Sequence, residues 1–105
     1  MSRVSIQGML PVPIKVNGVS QSKITMVTLT MEEQVAAITD GKEGQYVAIA
    51  DLVACTKWGD DLETATPVTY EQLAGSSAQN RRYLVGLREQ LEAKEREAAQ
   101  LEPQG

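Results

Sequence analysis

An Asn-Gly pair between two strand-like segments constrains the N-terminal third of the chain more than any other feature. Residues 4–16 have the alternating apolar pattern of a strand, and Asn17-Gly18 follows them. A second apolar segment covers residues 23–29. Asn and Gly both accept the positive φ angles of a type I′ turn, so the sequence predicts an antiparallel hairpin. The first strand contains two prolines, which offer no N–H to a ladder. It is therefore predicted to lie at a sheet edge.

The register of this hairpin depends on which side chains share a face. A strict two-residue turn pairs Ile14 with Gln21 and mixes polar with apolar side chains. One extra residue in the second strand pairs Val12 with Ile24 and places the apolar side chains on one face. We therefore predict a bulge or wider loop within residues 19–22. The edge that carries Val12 and Ile14 is expected to be open to a partner, including a second copy of the chain.

Helices are predicted after the hairpin. Thr30 and Glu33 have the spacing of a capping box, which begins a short helix over residues 31–39, and Asp40-Gly41 is expected to end it. Residues 45–58 are apolar nearly all round, a pattern typical of a central buried helix. The helix over residues 31–39 is expected to turn Met31, Val35 and Ile38 toward the core.

A second capping box, Thr69 with Gln72, begins another short helix, and a long final helix runs from Ser77 toward Leu101. One apolar stripe follows this last helix and fades after residue 91. We expect the stripe to complete the core on one side and to bind an amphipathic partner helix on the other, with a purely structural role as the alternative. The stripe consists of Tyr83, Leu84, Leu87 and Leu91.

These elements together predict an α+β fold, in which an N-terminal antiparallel β-hairpin precedes a body of three to four helices with a long C-terminal helix. Residues 1–91 are expected to form one domain. Residues 92–105 are expected to form a charged, partly frayed extension of the last helix. A chain of 105 residues is too short for two cores of ordinary size.

The composition argues against catalysis and metal binding. The chain has no His and a single Cys, so it can form neither an intrachain disulfide nor a Cys/His zinc cage. Cys55 lies in an apolar segment, where burial is expected to raise its pKa and suppress the thiolate. The acidic loop at residues 60–63 is expected to be solvated. We therefore predict a protein that is not an enzyme and needs no cofactor or metal.

The charge distribution indicates the kind of partner. Residues 32–75 carry nine acidic residues against Lys42 and Lys57, whereas residues 76–105 are balanced. An acidic chain of net charge −4 is a poor candidate for nucleic-acid binding. The N-terminus lacks the pattern of a signal peptide, and no stretch is long and apolar enough to span a membrane. We therefore expect a cytoplasmic protein with neither a membrane nor a nucleic-acid partner.

The order of elements resembles that of a known family. The resemblance is carried by Leu10-Pro11-Val12-Pro13-Ile14-Lys15-Val16-Asn17-Gly18, by Ile24-Thr25-Met26-Val27-Thr28-Leu29 before Thr30-Met31-Glu32-Glu33, and by Val68-Thr69-Tyr70-Glu71-Gln72-Leu73. Over about residues 4–91 the chain resembles the small tail assembly chaperones of long-tailed bacteriophages, of the Mu-like type.

This resemblance implies a function without catalysis. Such chaperones hold the tape measure protein, whose long apolar helices would otherwise aggregate, until tail tube subunits assemble around it. The expected partner is then the tape measure protein or another helical phage tail protein, in the cytoplasm of the host cell. The family has no catalytic motif, so no residue acquires a role from it. The alternatives are a minor structural or connector protein of the phage particle, or a small DNA-associated regulator, which the negative charge disfavours.

Overall fold

The computed structural model describes residues 3–39 and 44–101, and its architecture is α+β, which confirms the predicted fold class. Four antiparallel strands form one sheet in the order β1-β2-β3-β4. The predicted helix stop at Asp40-Gly41 lies outside the described residues. The elements within those residues are β1 (Ser5–Val16), β2 (Val19–Val27), α1 (Met31–Thr39), α2 (Val47–Cys55), β3 (Thr56–Trp58), β4 (Thr66–Pro67), α3 (Tyr70–Ala74) and α4 (Ala78–Leu101).

The hairpin turn forms as predicted. Asn17 and Gly18 both have positive φ, at 53° and 81°, which is the conformation of a type I′ turn. Val16 pairs with Val19 directly across it. The turn is therefore a strict two-residue loop, and no residue is inserted at the start of β2.

The predicted position of the bulge is wrong. The register shifts on β1, between Met9 and Ile14, and Ile24 pairs with Gly8 instead of Val12. Four residues of β1, 10–13, which include both prolines, lie opposite one residue of β2, Ser22. A proline cannot donate to a neighbouring strand, so the irregularity is least costly where the ladder would be interrupted in any case. On either side of this irregularity the even-numbered residues of β1 face the core.

Two helices, α2 and α4, contribute buried residues to the core, and α4 contributes most. This helix packs against the face of β1 and β2 and approaches the sheet closely at Gly8. A Cβ atom there would lie 2.5 Å from Tyr83 Oη and 2.8 Å from Leu87 Cδ2, so the contact requires glycine. The buried core residues are Leu10, Ile24, Met26, Leu52, Cys55, Trp58, Val68, Leu84, Leu87 and Leu91.

The predicted inward face of α1 is wrong. Met31 is 83% exposed and Val35 52%, and Ile38 is only half-buried. The helix instead turns a polar side chain toward α2, because Gln34 Nε2 donates a hydrogen bond to Asp51 Oδ1 at 3.0 Å. The bounds of α1 and its Thr30–Glu33 capping box are as predicted. Only the side of the helix that faces the protein interior was predicted incorrectly.

The segment at residues 45–58 also differs from its prediction. Only Leu52 and Cys55 of α2 are buried, and the chain then continues as β3. Thr56 pairs with Met26 of β2, and Trp58 is buried, with its Nε1 donating to Gln72 Oε1 at 2.9 Å. Pairing with β2 stabilises an extended conformation that the apolar composition alone does not reveal.

The outer edge of β1 is covered by α4, which runs antiparallel to it. Tyr83 Oη accepts from the Met9 N–H at 2.9 Å, and Lys94 Nζ donates to the Ser5 carbonyl at 2.7 Å. Between residues 80 and 94 α4 rises by about 21 Å, close to the roughly 23 Å of strand between residues 5 and 12. The expected open edge is therefore wrong for this stretch, whereas self-association nearer the turn stays a prediction.

Candidate functional site

The leucine stripe of α4 lies inside the molecule. Leu84, Leu87 and Leu91 are only 1%, 5% and 2% exposed, and all three belong to the core. Tyr83 is half-buried and packs against that core. The expected division of the stripe into a core side and a docking side is wrong for these leucines, because the sheet takes up the whole stripe.

Val12 and Ile14, the predicted partner-binding residues of β1, are both half-buried. Ile14 packs against the core, and the backbone of Val12 is bound to the Asn80 side chain. The predicted site residues are therefore not assembled into one accessible surface.

The face of α4 next to the leucine stripe, with Leu84 and Leu91 at its edge, forms a groove, which we call the α4 groove. It consists of three adjoining cavities of about 220, 370 and 70 Å³. The first two share Leu52 and Arg81, and the last two share Gln34, Arg88 and Glu92. The cavities therefore form a row along α4, with α3, α2 and α1 contributing the opposite wall.

The two ends of the α4 groove differ in chemistry. The 220 Å³ cavity is the apolar end of the groove. The polar residues in its lining are Ser76, Ser77, Asn80 and Arg81. Its apolar lining consists of Ile49, Leu52, Leu73, Ala74, Ala78 and Leu84. The other end is charged, and its acidic residues are Asp51, Glu89, Glu92 and Glu95.

Six of the α4 residues that line the groove form one row, which we call the seam. Steps of three and four residues alternate along it, as they do on one face of any α-helix, and such a row can pack against a second helix. From first to last the seam residues rise by about 26 Å, or roughly five helical turns. The seam consists of Ala78, Arg81, Val85, Arg88, Glu92 and Glu95.

An ion pair holds the floor of the groove in place. Arg88 Nη1 lies 2.6 Å from Asp51 Oδ2, and the other oxygen of that carboxylate accepts from Gln34. Burial opposes the charged form of Arg88, but the hydrogen bond to Asp51 and the charges of nearby acidic groups together outweigh it and raise the pKa of the guanidinium. One carboxylate thus joins α1, α2 and α4.

The acidic residues at the charged end are accessible. Glu89, Glu92 and Glu95 are exposed, and among residues 3–39 and 44–101 none of them forms a salt bridge. Asp51, in contrast, is already paired with Arg88. The groove therefore offers three exposed carboxylates on one side of α4.

The other side chains that could act as nucleophiles or metal ligands are Cys55 and the acidic residues of the loop after β3, and their contacts are structural. Cys55 is buried, and this burial raises the pKa of its thiol. In the loop after β3, Asp60 pairs with Lys23 at 3.6 Å, and Asp61 Oδ1 accepts from the Glu63 N–H. The described residues contain no group of three or more Asp, Glu or Cys side chains placed to hold a metal ion. No helix in residues 3–39 or 44–101 is long and apolar enough to cross a membrane.

Replacing Cys55 with Ala is expected to lower the free energy of unfolding by about 1 kcal/mol or less, because a small buried side chain is lost without breaking a hydrogen-bond network. Client binding in a co-expression assay is expected to stay at the parent level. Urea denaturation measures the first effect. A variant that unfolds like the parent but loses client binding would contradict the structural role of Cys55.

The α4 groove was missed by the sequence interpretation for a physical reason. Hydrophobic periodicity detects stripes of large apolar residues, and the leucine stripe satisfied it. The groove seam instead contains Ala, Val, Arg and Glu, a composition typical of a solvated helix face.

Comparison of the chain with protein-family models, with curated proteins and with solved structures finds no significant match. The class of the protein is therefore defined by its own features, an α+β fold with a groove along its last helix.

Proposed function

We propose that this protein is a non-enzymatic tail assembly chaperone that holds an amphipathic helix of the tape measure protein in the α4 groove. The observation that carries the proposal is the length of that groove along one helix. Its α4 wall, from Ala78 to Glu95, is about 26 Å long, which equals some 17 residues of helix. An α-helical occupant can fit its side-chain ridges between those of α4, as helices that pack together do.

The shape of the groove supports a macromolecular partner. Its charged cavity has a volume of about 370 Å³, and its apolar cavity is smaller, at about 220 Å³. It is suited to one large apolar side chain of a helix, in the way that helix-in-groove complexes use anchor residues. The wider charged cavity then accommodates the polar flank of the same helix.

The choice of client rests on the resemblance of the sequence to phage tail assembly chaperones. A protein that holds long apolar helices needs a binding face and no catalytic group. The chain contains no His, and its one Cys is buried with a raised pKa, which suits such a role. A helix-shaped groove that contains both an apolar and a charged end also suits an amphipathic client.

Co-expression with the tape measure protein encoded by the same genome tests the proposal. The parent chain is expected to keep that protein soluble and to co-elute with it in size-exclusion chromatography. Ala78→Trp should abolish both effects, because Ala78 is exposed at the rim of the apolar cavity and a Trp side chain there would block the entry of a client residue.

The matched control is Ala36→Trp, which places the same side chain at an exposed position of α1 outside the groove. It should hold the client as the parent does, and both variants should melt close to the parent temperature. If Ala78→Trp still holds the client, the groove is not the binding site. If the genome encodes no tape measure protein, or if the parent leaves it insoluble, the proposed function is wrong.

A further inference from the structure

The charges around the α4 groove distinguish between possible helical clients. Glu89, Glu92 and Glu95 form an exposed acidic row at one end. The opposite wall adds one acidic side chain, Asp51. Of the two arginines on the groove floor, Arg88 is already engaged by Asp51.

From this charge pattern we infer that the α4 groove selects a basic amphipathic helix, in which one large apolar residue enters the apolar cavity and lysines or arginines face the acidic row. The inference rests on the proposed function, since it names the chemistry of the client at the same site. Opposite charges that meet in a groove rim steer association and exclude partners of the wrong sign.

The distance between the two ends sets the spacing in the client. Residues 81 and 92, one at each end, are separated by about 16 Å along α4, and residues 78 and 92 by about 21 Å. A helix lying alongside α4 should therefore carry its basic residues about 11 to 14 residues from its apolar anchor. The basic residues should themselves recur every three residues, to match Glu89, Glu92 and Glu95.

A second copy of this chain is a poorer occupant of the groove. The chain carries a net charge of −4, and its most exposed apolar helix face, with Met31 and Val35 on α1, is flanked by Glu32. Bringing that face to the acidic row would set like charges against each other. A basic partner instead neutralises them.

Two designed helical peptides test the inference against the full chain. Both carry one Leu anchor and three charged positions, spaced three residues apart and centred 11 to 14 residues from the anchor, filled by Lys in one peptide and by Glu in the other. Fluorescence anisotropy measures the dissociation constants. Three exposed charge pairs, each worth about twofold, should make the Lys peptide bind at least about eightfold more tightly, and added salt should reduce the difference.

A charge-reversed protein provides the decisive comparison. The triple variant Glu89→Lys, Glu92→Lys, Glu95→Lys should prefer the Glu peptide. The matched control Glu97→Lys should retain the parent's preference, because Glu97 is exposed about 140° around the helix from Glu92. Melting temperatures of both variants verify that they remain folded.

The outcomes separate the inference from the proposed function. Equal binding of both peptides, blocked by Ala78→Trp, would overturn the selection for basic helices and leave the helix-binding groove intact. Failure of both peptides to bind would overturn the groove as a helix site. A dimer of the free protein that Ala78→Trp dissociates would assign the groove to a second copy and overturn the inference.

Discussion

Replacing Leu91 with Asp is expected to unfold the protein. Leu91 is 2% exposed and lies in the same core cluster as Leu84 and Leu87, so the substitution would bury a carboxylate without a partner. The expected loss is more than about 4 kcal/mol, which is most of the roughly 5 to 15 kcal/mol that keeps a small domain folded. Far-UV circular dichroism and urea denaturation measure the result.

The matched control for this substitution is Val85→Asp on the same helix. Val85 is 37% exposed and faces the α4 groove, so the same new charge stays in water. It should cost about 1 kcal/mol or less. A Leu91→Asp variant with the parent's urea midpoint would contradict the packing of α4 against the sheet, and it would restore Leu91 as a residue available to a client.

Features that depend on neighbours in sequence were predictable. The type I′ turn at Asn17-Gly18 formed as expected, and so did the capping boxes that begin α1 and α3. Each of them requires particular residues within four positions of one another, because the bonds close within a single turn. The local sequence therefore contains all of the information that these structures need.

Features that depend on distant contacts were not predictable in the same way. The bulge at residues 10–13 of β1 lies next to Asn80 of α4, which is 68 residues away from Val12. The extended conformation of β3 depends on pairing with β2. In both cases the partner supplies hydrogen bonds that outweigh local preference, and the spacing of apolar residues contains no sign of that partner.

The position of the candidate site depends on which elements cover each face of α4. A sheet below α4 takes up Leu84, Leu87 and Leu91 completely, so the most apolar stripe is also the least accessible one. The neighbouring face, with Val85 and Arg88, is left to the short helices, which cover it incompletely. The surface that remains for a partner is therefore a mixed one, where recognition depends on shape and charge together.

Asn80 has the most demanding environment of the polar side chains in the described residues. It is 1% exposed, and its amide forms two hydrogen bonds with the backbone of Val12. The Val12 N–H donates to Oδ1 at 3.0 Å, and Nδ2 donates to the Val12 carbonyl at 2.9 Å. A side-chain amide thus takes the place of a neighbouring strand at the irregular part of β1, where Pro11 and Pro13 interrupt the ladder.

Replacing Asn80 with Leu is expected to cost about 3 kcal/mol. The side chains are similar in size, so the main loss is that of both hydrogen bonds, which leaves the N–H and the carbonyl of Val12 without partners next to an apolar group. For a domain of about 100 residues this corresponds to a fall of roughly 12 to 24 °C in melting temperature, measured by calorimetry. Hydrogen exchange at the Val12 amide should accelerate more than exchange in β2.

The matched control is Gln79→Leu, one residue earlier on α4, where the side chain is exposed. It should melt within a few degrees of the parent, since a surface substitution usually changes stability by about 0.5 kcal/mol or less. Asn80→Asp adds a second comparison, because it keeps an acceptor for the Val12 N–H, removes the donor to the carbonyl and buries a charge, and should be destabilised as well. If Asn80→Leu melted like Gln79→Leu, the amide would not be the element that fixes the bulge, and the contact of Tyr83 with Met9 would have to hold α4 against β1 by itself.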